Sequence, residues 1–299
     1  MLSDSCGFIA LDHHPVHPRI IVAFRGTYSL ASAVLDLSTR PQEYSPYVPE
    51  HDNSFRVHTP AATAQQCDNC TVHSGFLRAW RNTRAEIIDR VTSAIVHAPG
   101  YRLTLLGHSL GGAVALLAAL EFHARGLKLQ VTTFGEPRVG NAAFVKHVDD
   151  RLLSPDHEQG IDYRRLTHVG DPVPLLPLTE WGYRPHAGEI YISKPALPPA
   201  TDDLHVCRGD NDQACSVAED NSFDSVSAEP SSQRRLPAVP PRFRLWMLLS
   251  AHRDYFWRLG LCVKGGDPWD WKGHYLHSED DLLLAWAANV AGDPEQLKT

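Results

Sequence analysis

The sequence predicts an α/β fold: a central, mostly parallel sheet flanked by helices on both faces. Two observations carry that prediction. Apolar runs of strand length alternate with segments of helical periodicity over residues 74–167, the order that parallel strands joined by crossover helices require. Within that alternation, Gly107-His108-Ser109-Leu110-Gly111-Gly112 joins the apolar run Leu103-Thr104-Leu105-Leu106 to an Ala/Leu-rich segment over 113–120. Glycines on either side of a serine permit a sharp strand-to-helix turn, which leaves the hydroxyl exposed at the edge of a sheet. The pattern Gly-x-Ser-x-Gly also arises by chance; here its flanks are the strand and helix that the turn needs.

The elements follow in order. Residues 7–12 alternate like a strand, 13–18 read as a turn, and 19–24 form a second, buried strand, so the pair reads as a hairpin. Residues 28–40 are mildly amphipathic and 41–71 form a polar, Pro-rich loop. A long helix is expected over 74–97, where Phe76, Leu77, Trp80, Ile87, Ile88, Val91 and Ile95 recur near a period of 3.6. Ser74 is its expected N-cap, and Pro99-Gly100 stops it. The turn strand (102–107) and its helix (110–125) come next. A strand over 129–134, a helix over 141–152 and a strand over 163–167 complete the alternation. After 195 the order breaks down. Residues 216–241 carry too few apolar side chains to fold alone and read as a mobile insertion. The expected domain is 1–266, followed by a Trp-rich C-terminal extension over 267–299 that packs as a terminal helix.

Composition limits the function classes. The chain has 299 residues, 43% of them hydrophobic, enough for one large α/β domain or two smaller ones. A net charge of −7 argues against electrostatic nucleic-acid binding. No apolar run reaches the roughly 18 residues of a transmembrane helix. The opening residues lack the basic and long apolar regions of a signal peptide. Cys67 and Cys70 lie in a polar loop, and Cys207 and Cys215 bracket another. Each pair reads as a local disulfide staple formed in an oxidising compartment. One zinc site from all four is the alternative, although the second spacing is wide for it. Cys6 and Cys262 remain, paired with each other or free. Asn69-Cys70-Thr71 is a glycosylation sequon, in line with secretion.

A serine hydroxyl needs a base, and the base needs an orienting carboxylate. In the α/β-hydrolase arrangement these follow the serine in the order acid, then histidine. Asp171, in Thr167-His168-Val169-Gly170-Asp171-Pro172-Val173-Pro174, stands just past the strand ending at 167, where parallel sheets place their sites. An Asp before Pro is also an ordinary turn residue. The sequence holds 17 histidines. Those downstream of Asp171 are His186, His205, His252, His274 and His277. His186 is too close to Asp171 to follow another core strand, His205 is read as part of the stapled loop, and His274 and His277 lie in the tail. The residues favour His252 without fixing it. For an oxyanion hole, the N–H of Leu110 is one donor by geometry. Thr27, after Phe24-Arg25-Gly26, is the candidate second donor; the same residues also suit a plain strand-ending turn.

These motifs together resemble the fungal class 3 lipases, which include triacylglycerol lipases and feruloyl esterases. The resemblance spans about 7–262. It rests on Phe24-Arg25-Gly26-Thr27, Val72-His73-Ser74-Gly75-Phe76, the serine turn, Phe134-Gly135-Glu136-Pro137-Arg138-Val139-Gly140-Asn141, the Asp171 loop and His252-Arg253-Asp254-Tyr255-Phe256. It implies an α/β-hydrolase fold and a Ser109–Asp171–His252 triad acting on lipid esters, triacylglycerols first, with no cofactor or metal. It also implies an oxyanion hole of Thr27 and Leu110, and secretion. Cys67/Cys70 and Cys207/Cys215 match family disulfides. Just after Thr27 the family carries a lid helix that opens at oil–water interfaces. Ser29, Leu30, Ala31, Val34 and Leu35 occupy that place here, with the apolar ones on one helical face; a helix packed permanently on the core is the plainer reading. Family members begin with further elements, so the chain reads as shortened at its N-terminus. The usual partner of Cys262 falls in that region, and Cys6 is a candidate substitute. The alternatives are a feruloyl or short-chain esterase, a phospholipase A1, or a catalytically silent lipid-binding remnant.

Overall fold

The computed structural model describes residues 7–26, 41–48, 66–153, 161–221 and 251–258. Thr27, the 29–35 segment, Cys6, Cys262, residues 222–250 and the 267–299 extension lie outside the described residues. Every element below belongs to the compact unit Met1–Arg258.

Strands β1 (Gly7–Asp12) and β2 (Arg19–Phe24) form the expected hairpin. Two short strands, β3 (Pro41–Glu43) and β4 (Thr71–His73), precede helix α1 (Ser74–His97). The turn strand β5 (Arg102–His108) leads into α2 (Leu110–Ala124), then β6 (Leu129–Phe134), β7 (Gly140–Asn141) and α3 (Ala142–Val148). A π-helical turn at Asp149–Leu153 prolongs α3. Strand β8 (Asp162–His168) is followed by β9 (Tyr183–Arg184), β10 (Glu189–Ile192), β11 (Leu204–Val206) and the short helix α4 (Val217–Asn221).

The main sheet has seven strands in the order β1-β2-β5-β6-β8-β10-β11. The five inner strands are parallel, and β1 and β11 close the edges antiparallel. A second sheet, β3-β4-β7-β9, gathers short strands that carry too few residues to show periodicity in the sequence. Helix α2 is buried nearly all round. It packs on β2, β5 and β6 on one side and on α1 on the other, which explains its unbroken Ala/Leu composition. A buried carboxylate ties the two helices. Glu121 accepts from Trp80 Nε1 at 3.1 Å, and pairs with Arg84 at 2.6 Å and Arg125 at 2.8 Å. With three donors the charge is compensated, as burial of a carboxylate demands.

Three expectations change. The N-cap of α1 is His73, not Ser74: the His73 Nδ1 accepts from Gly75 N at 3.2 Å, and its ring lies tilted against Phe76 with centroids 4.2 Å apart. That ring contact holds the imidazole where a serine hydroxyl was expected. His205 lies on β11, not within the stapled loop. The start of the 216–241 insertion is seated on the fold: Ser216 is buried, and Glu219 bonds to Gly170 and Tyr191. Polar contacts to strands already in place do there what apolar content could not. Cys67–Cys70 and Cys207–Cys215 are disulfides.

Candidate active site

The turn between β5 and α2 is as tight as its glycines suggest. Ser109 sits at φ 58, ψ −129, a region that costs a non-glycine residue on the order of 1–3 kcal/mol. The surroundings enforce it: Ser109 N donates to Phe134 O at 2.9 Å and Gly112 N to Ser109 O at 2.8 Å. A Cβ on Gly107 would overlap the backbone of Gly111, and a Cβ on Gly111 the carbonyl of Phe24. The close approach of Gly111 to β2 carries the Phe24-Arg25-Gly26 end of that strand onto the turn. A Cβ on Gly26 would lie 3.0 Å from Ser109 Cβ. Leu110 opens α2, so its N–H has no carbonyl to meet within the helix.

Asp171 stands in the loop after β8, reached through a left-handed turn at Gly170 (φ +76). Its carboxylate is buried and fully engaged. Val173 N donates to Oδ1 at 2.9 Å and Tyr255 O–H to Oδ2 at 2.6 Å. The Nδ1 of His252 lies 3.0 and 2.9 Å from the two oxygens. Burial pushes the Asp171 carboxyl up, but the His252 imidazole, followed by the bonds from His252, Tyr255 and Val173, outweighs it and holds the group below its ordinary value.

His252 lies in a 3-10 turn, Ala251–Arg253, with no solvent exposure. An Nδ1 facing a carboxylate carries the proton, so in the neutral ring the lone pair is on Nε2. That Nε2 is buried and has no hydrogen-bond partner. Ser109 Oγ and His252 Nε2 are therefore not hydrogen-bonded in this structure; such bonds commonly tighten only when substrate binds. The structure thus joins Asp171 to His252, and sets Ser109 in its strained turn without closing the last link.

Three residues the motifs contained, without a role, hold His252 in place. His108 donates from Nε2 to the His252 carbonyl at 2.8 Å, and the two rings lie 4.5 Å apart. Burial, then the neighbouring His252, pushes His108 down to about 4, so it stays neutral and keeps that donor. Tyr255 packs edge-on against Phe134 at 5.5 Å and aims its hydroxyl at Asp171. Gly135 (φ +58) leaves the space: a Cβ there would meet Tyr255 Oη at 2.6 Å and His252 Cε1 at 2.7 Å. The next residue anchors this loop from below. Glu136 accepts from Thr133 at 2.6 Å and Tyr163 at 2.8 Å, and lies 3.0 Å from His186 Nε2. Arg138 then ties the loop to the Asp171 segment through Leu175 O at 2.7 Å. Of the other histidines considered as the base, His186 serves this cluster and His205 meets Ser193 on the surface. His274 and His277 lie outside the described residues. Among the described residues no three metal-ligating side chains converge, and no helix is long and apolar enough to cross a membrane.

Known proteins resemble this chain over most of its length. The family model for lipase (class 3) matches residues 21–181. The secreted mono- and diacylglycerol lipase 2 of Gibberella zeae is 48% identical over 92% of this chain and 73% of its own length. Lipase A of Sodiomyces alcalophilus is 46% identical over 91% of this chain and 72% of its own. Among solved structures, the Lip2 lipase of Yarrowia lipolytica superposes with a TM-score of 0.64 at 26% identity, covering 86% of this chain and 77% of that one.

Proposed function

The chain belongs to the class 3 lipase family, and from that premise we propose that it hydrolyses lipid esters through Ser109, His252 and Asp171. The observation that carries the assignment is the buried Asp171–His252 pair, whose His252 Nε2 is left without a hydrogen-bond partner. Ser109 Oγ attacks the ester carbonyl while Nε2 takes its proton. Asp171 holds the ring in the needed tautomer and stabilises the imidazolium. The oxyanion is held by the N–H of Leu110 and by that of Thr27, next to Gly26 at the turn, each worth about 3 kcal/mol of barrier. The imidazolium then protonates the leaving alkoxide. Water repeats the sequence on the acyl-enzyme and releases the fatty acid.

Acylglycerols are the proposed substrates. The names of the Gibberella zeae relative and of its Penicillium camembertii counterpart (34% identical over 70% of this chain) support mono- and diacylglycerols ahead of triacylglycerols. Residues 29–35 act as a lid that opens at an oil–water interface. Secretion is supported by the two disulfides and by relatives named as secreted.

Ser109→Ala abolishes hydrolysis of p-nitrophenyl butyrate and labelling by a fluorophosphonate; full activity in that variant refutes the triad. Rates on monoolein, diolein and triolein rank the acylglycerols, and methyl ferulate separates a feruloyl esterase. A jump in tributyrin hydrolysis above its solubility limit, lost on deleting 29–35, identifies the lid.

A further inference from the structure

The segment after the Cys207–Cys215 disulfide makes contacts that a loose insertion has no use for. Its first residues fold back as two tight turns, with Ala218 N bonded to Cys215 O at 3.0 Å and Glu219 N to Ser216 O at 3.1 Å. Ser216 is buried and donates from both its backbone and its hydroxyl to Glu189. Glu189, on β10, also accepts from Arg165 at 3.1 Å and from Thr167 Oγ1, both on β8. Cys207 N is bonded to the Glu189 carbonyl at 3.0 Å. Glu189 thus fastens both ends of the disulfide loop to β10, its carbonyl holding Cys207 and its carboxylate Ser216, and the same carboxylate pairs with β8, the strand that delivers Asp171.

From that anchorage the segment reaches the Asp171 turn itself. Glu219 accepts from Gly170 N at 3.0 Å through Oε2 and from Tyr191 O–H at 2.8 Å through Oε1. Gly170 is the left-handed residue whose φ of +76 directs the chain into Asp171. Its N–H has no ladder partner, and Glu219 is what satisfies it. The opposite side of the same loop is bonded through Val169 N to Ile192 O at 2.9 Å, so Glu219 supplies the contact that fixes the turn at the residue before the carboxylate.

We infer that residues 215–219 form a strap, tied by the Cys207–Cys215 disulfide, in which Glu219 is a positioning residue that sets the Asp171 carboxylate through the Gly170 N–H. The inference rests on the triad reading above. Among the described residues, the groups facing Glu219 are Gly170 N–H and Asp171 from the loop, and Tyr191 and Glu189 from β10. A poorly set Asp171 stabilises the His252 imidazolium less. The acid limb of kcat/KM then moves to lower pH.

The test uses the full chain and a soluble p-nitrophenyl ester. Glu219→Ala lowers kcat about tenfold, as a displacement of well under 1 Å in a catalytic group does. KM stays within about twofold, because a group that sets the triad contributes little to ground-state binding. The acid limb of kcat/KM moves to lower pH. Glu219→Gln restores most of the rate, since its amide oxygen still accepts from Gly170 while the Tyr191 hydroxyl turns to accept from the amide. Cys207→Ser/Cys215→Ser falls in the same direction and is not additive with Glu219→Ala, because both act through one contact. Parental kcat and acid limb in Glu219→Ala overturn the inference. Equal losses in the Ala and Gln variants also overturn it. Should Glu219→Ala not fold by near-UV circular dichroism, Glu219→Asp, one methylene too short to reach Gly170, decides by the same criteria. Ser109→Ala, run alongside, separates the two readings: its retained activity sinks the triad, whereas an inactive Ser109→Ala with a parental Glu219→Ala sinks the strap alone.

Discussion

Replacing Asp171 by Asn tests the tautomer argument with almost no change of shape. In the parent, every partner of the carboxylate is a donor: Val173 N on Oδ1, Tyr255 O–H on Oδ2 and His252 Nδ1 across both. An amide has one accepting end. The backbone N–H of Val173 cannot turn, so the Asn oxygen stays there and the NH2 takes the place of Oδ2. Tyr255 can rotate its hydroxyl to accept from that NH2. His252 Nδ1 faces the NH2 at the nearer position; where it takes that donated hydrogen, its own proton moves to Nε2 and the ring loses the lone pair that would accept the serine proton. The expected loss is about 10⁴ in kcat, or about 5 kcal/mol of barrier. KM should change little, because the substrate's ground state does not meet Asp171. Steady-state rates on p-nitrophenyl butyrate measure both constants, and near-UV circular dichroism checks the fold. A folded Asp171→Asn protein within tenfold of the parental kcat would show that this carboxylate does not set the tautomer. The pH dependence of stability gives a second check. The folded Asp171 carboxyl lies below its unfolded value. Its contribution is therefore complete above the unfolded value near 3.9, and is lost as pH falls through the lower folded one. Urea midpoints of the Asn variant lack that contribution to the acid limb.

Tyr255→Phe removes a charge-assisted bond to a buried carboxylate and costs about 1.5–3 kcal/mol of stability. The Asp171 carboxyl rises, so the acid limb of the stability curve moves to higher pH, read from urea midpoints between pH 3 and 7. Gly135→Ala forces a side chain into φ +58 and onto His252. Its left-handed strain alone costs about 1–2 kcal/mol, and displacing the imidazole lowers kcat about 10²-fold; a parental kcat contradicts the packing argument. His108 is pushed down to about 4 in the fold from an ordinary 6.5. The unfolded chain therefore takes up a proton that the folded one refuses, and stability falls as pH drops from 6.5 towards 4, by up to about 1.4 kcal/mol per unit. His108→Gln keeps a donor for the His252 carbonyl and flattens that slope.

Features set by local backbone chemistry were legible in the sequence. The serine turn announces itself because two glycines and a strand–helix junction leave one conformation. The long helix over 74–97 and the strand over 129–134 are written in periodicity and in Pro and Gly punctuation. The two disulfides join cysteines close in sequence, so loop spacing was enough. The short strands β3, β4, β7 and β9 were invisible because two or three residues show no period, and their partners come from distant parts of the chain. The seat of residues 216–219 was missed for a related reason. Apolar content measures what a segment can bury by itself, whereas Ser216 and Glu219 are held by polar groups on β10 and on the turn after β8.

Gly135 shows where the boundary falls. In the sequence it is one glycine in Phe134-Gly135-Glu136-Pro137-Arg138, and a left-handed turn explains it adequately. The turn accounts for φ +58 but not for the emptiness beside it. A Cβ at Gly135 would lie 2.7 Å from His252 Cε1 and 2.9 Å from Nδ1, so the glycine is also the seat of an imidazole that arrives much later in the chain. The same holds for His108, whose ring lies against that imidazole while its Nε2 holds the His252 carbonyl. Neither requirement has a local signature, because the group that imposes it comes from another segment. What these two residues and Tyr255 share is His252 and its carboxylate partner: one leaves room for the ring, one holds the backbone behind it, and one completes the shell around Asp171. Residues that hold a side chain from across the fold become readable only once the group they hold is in place.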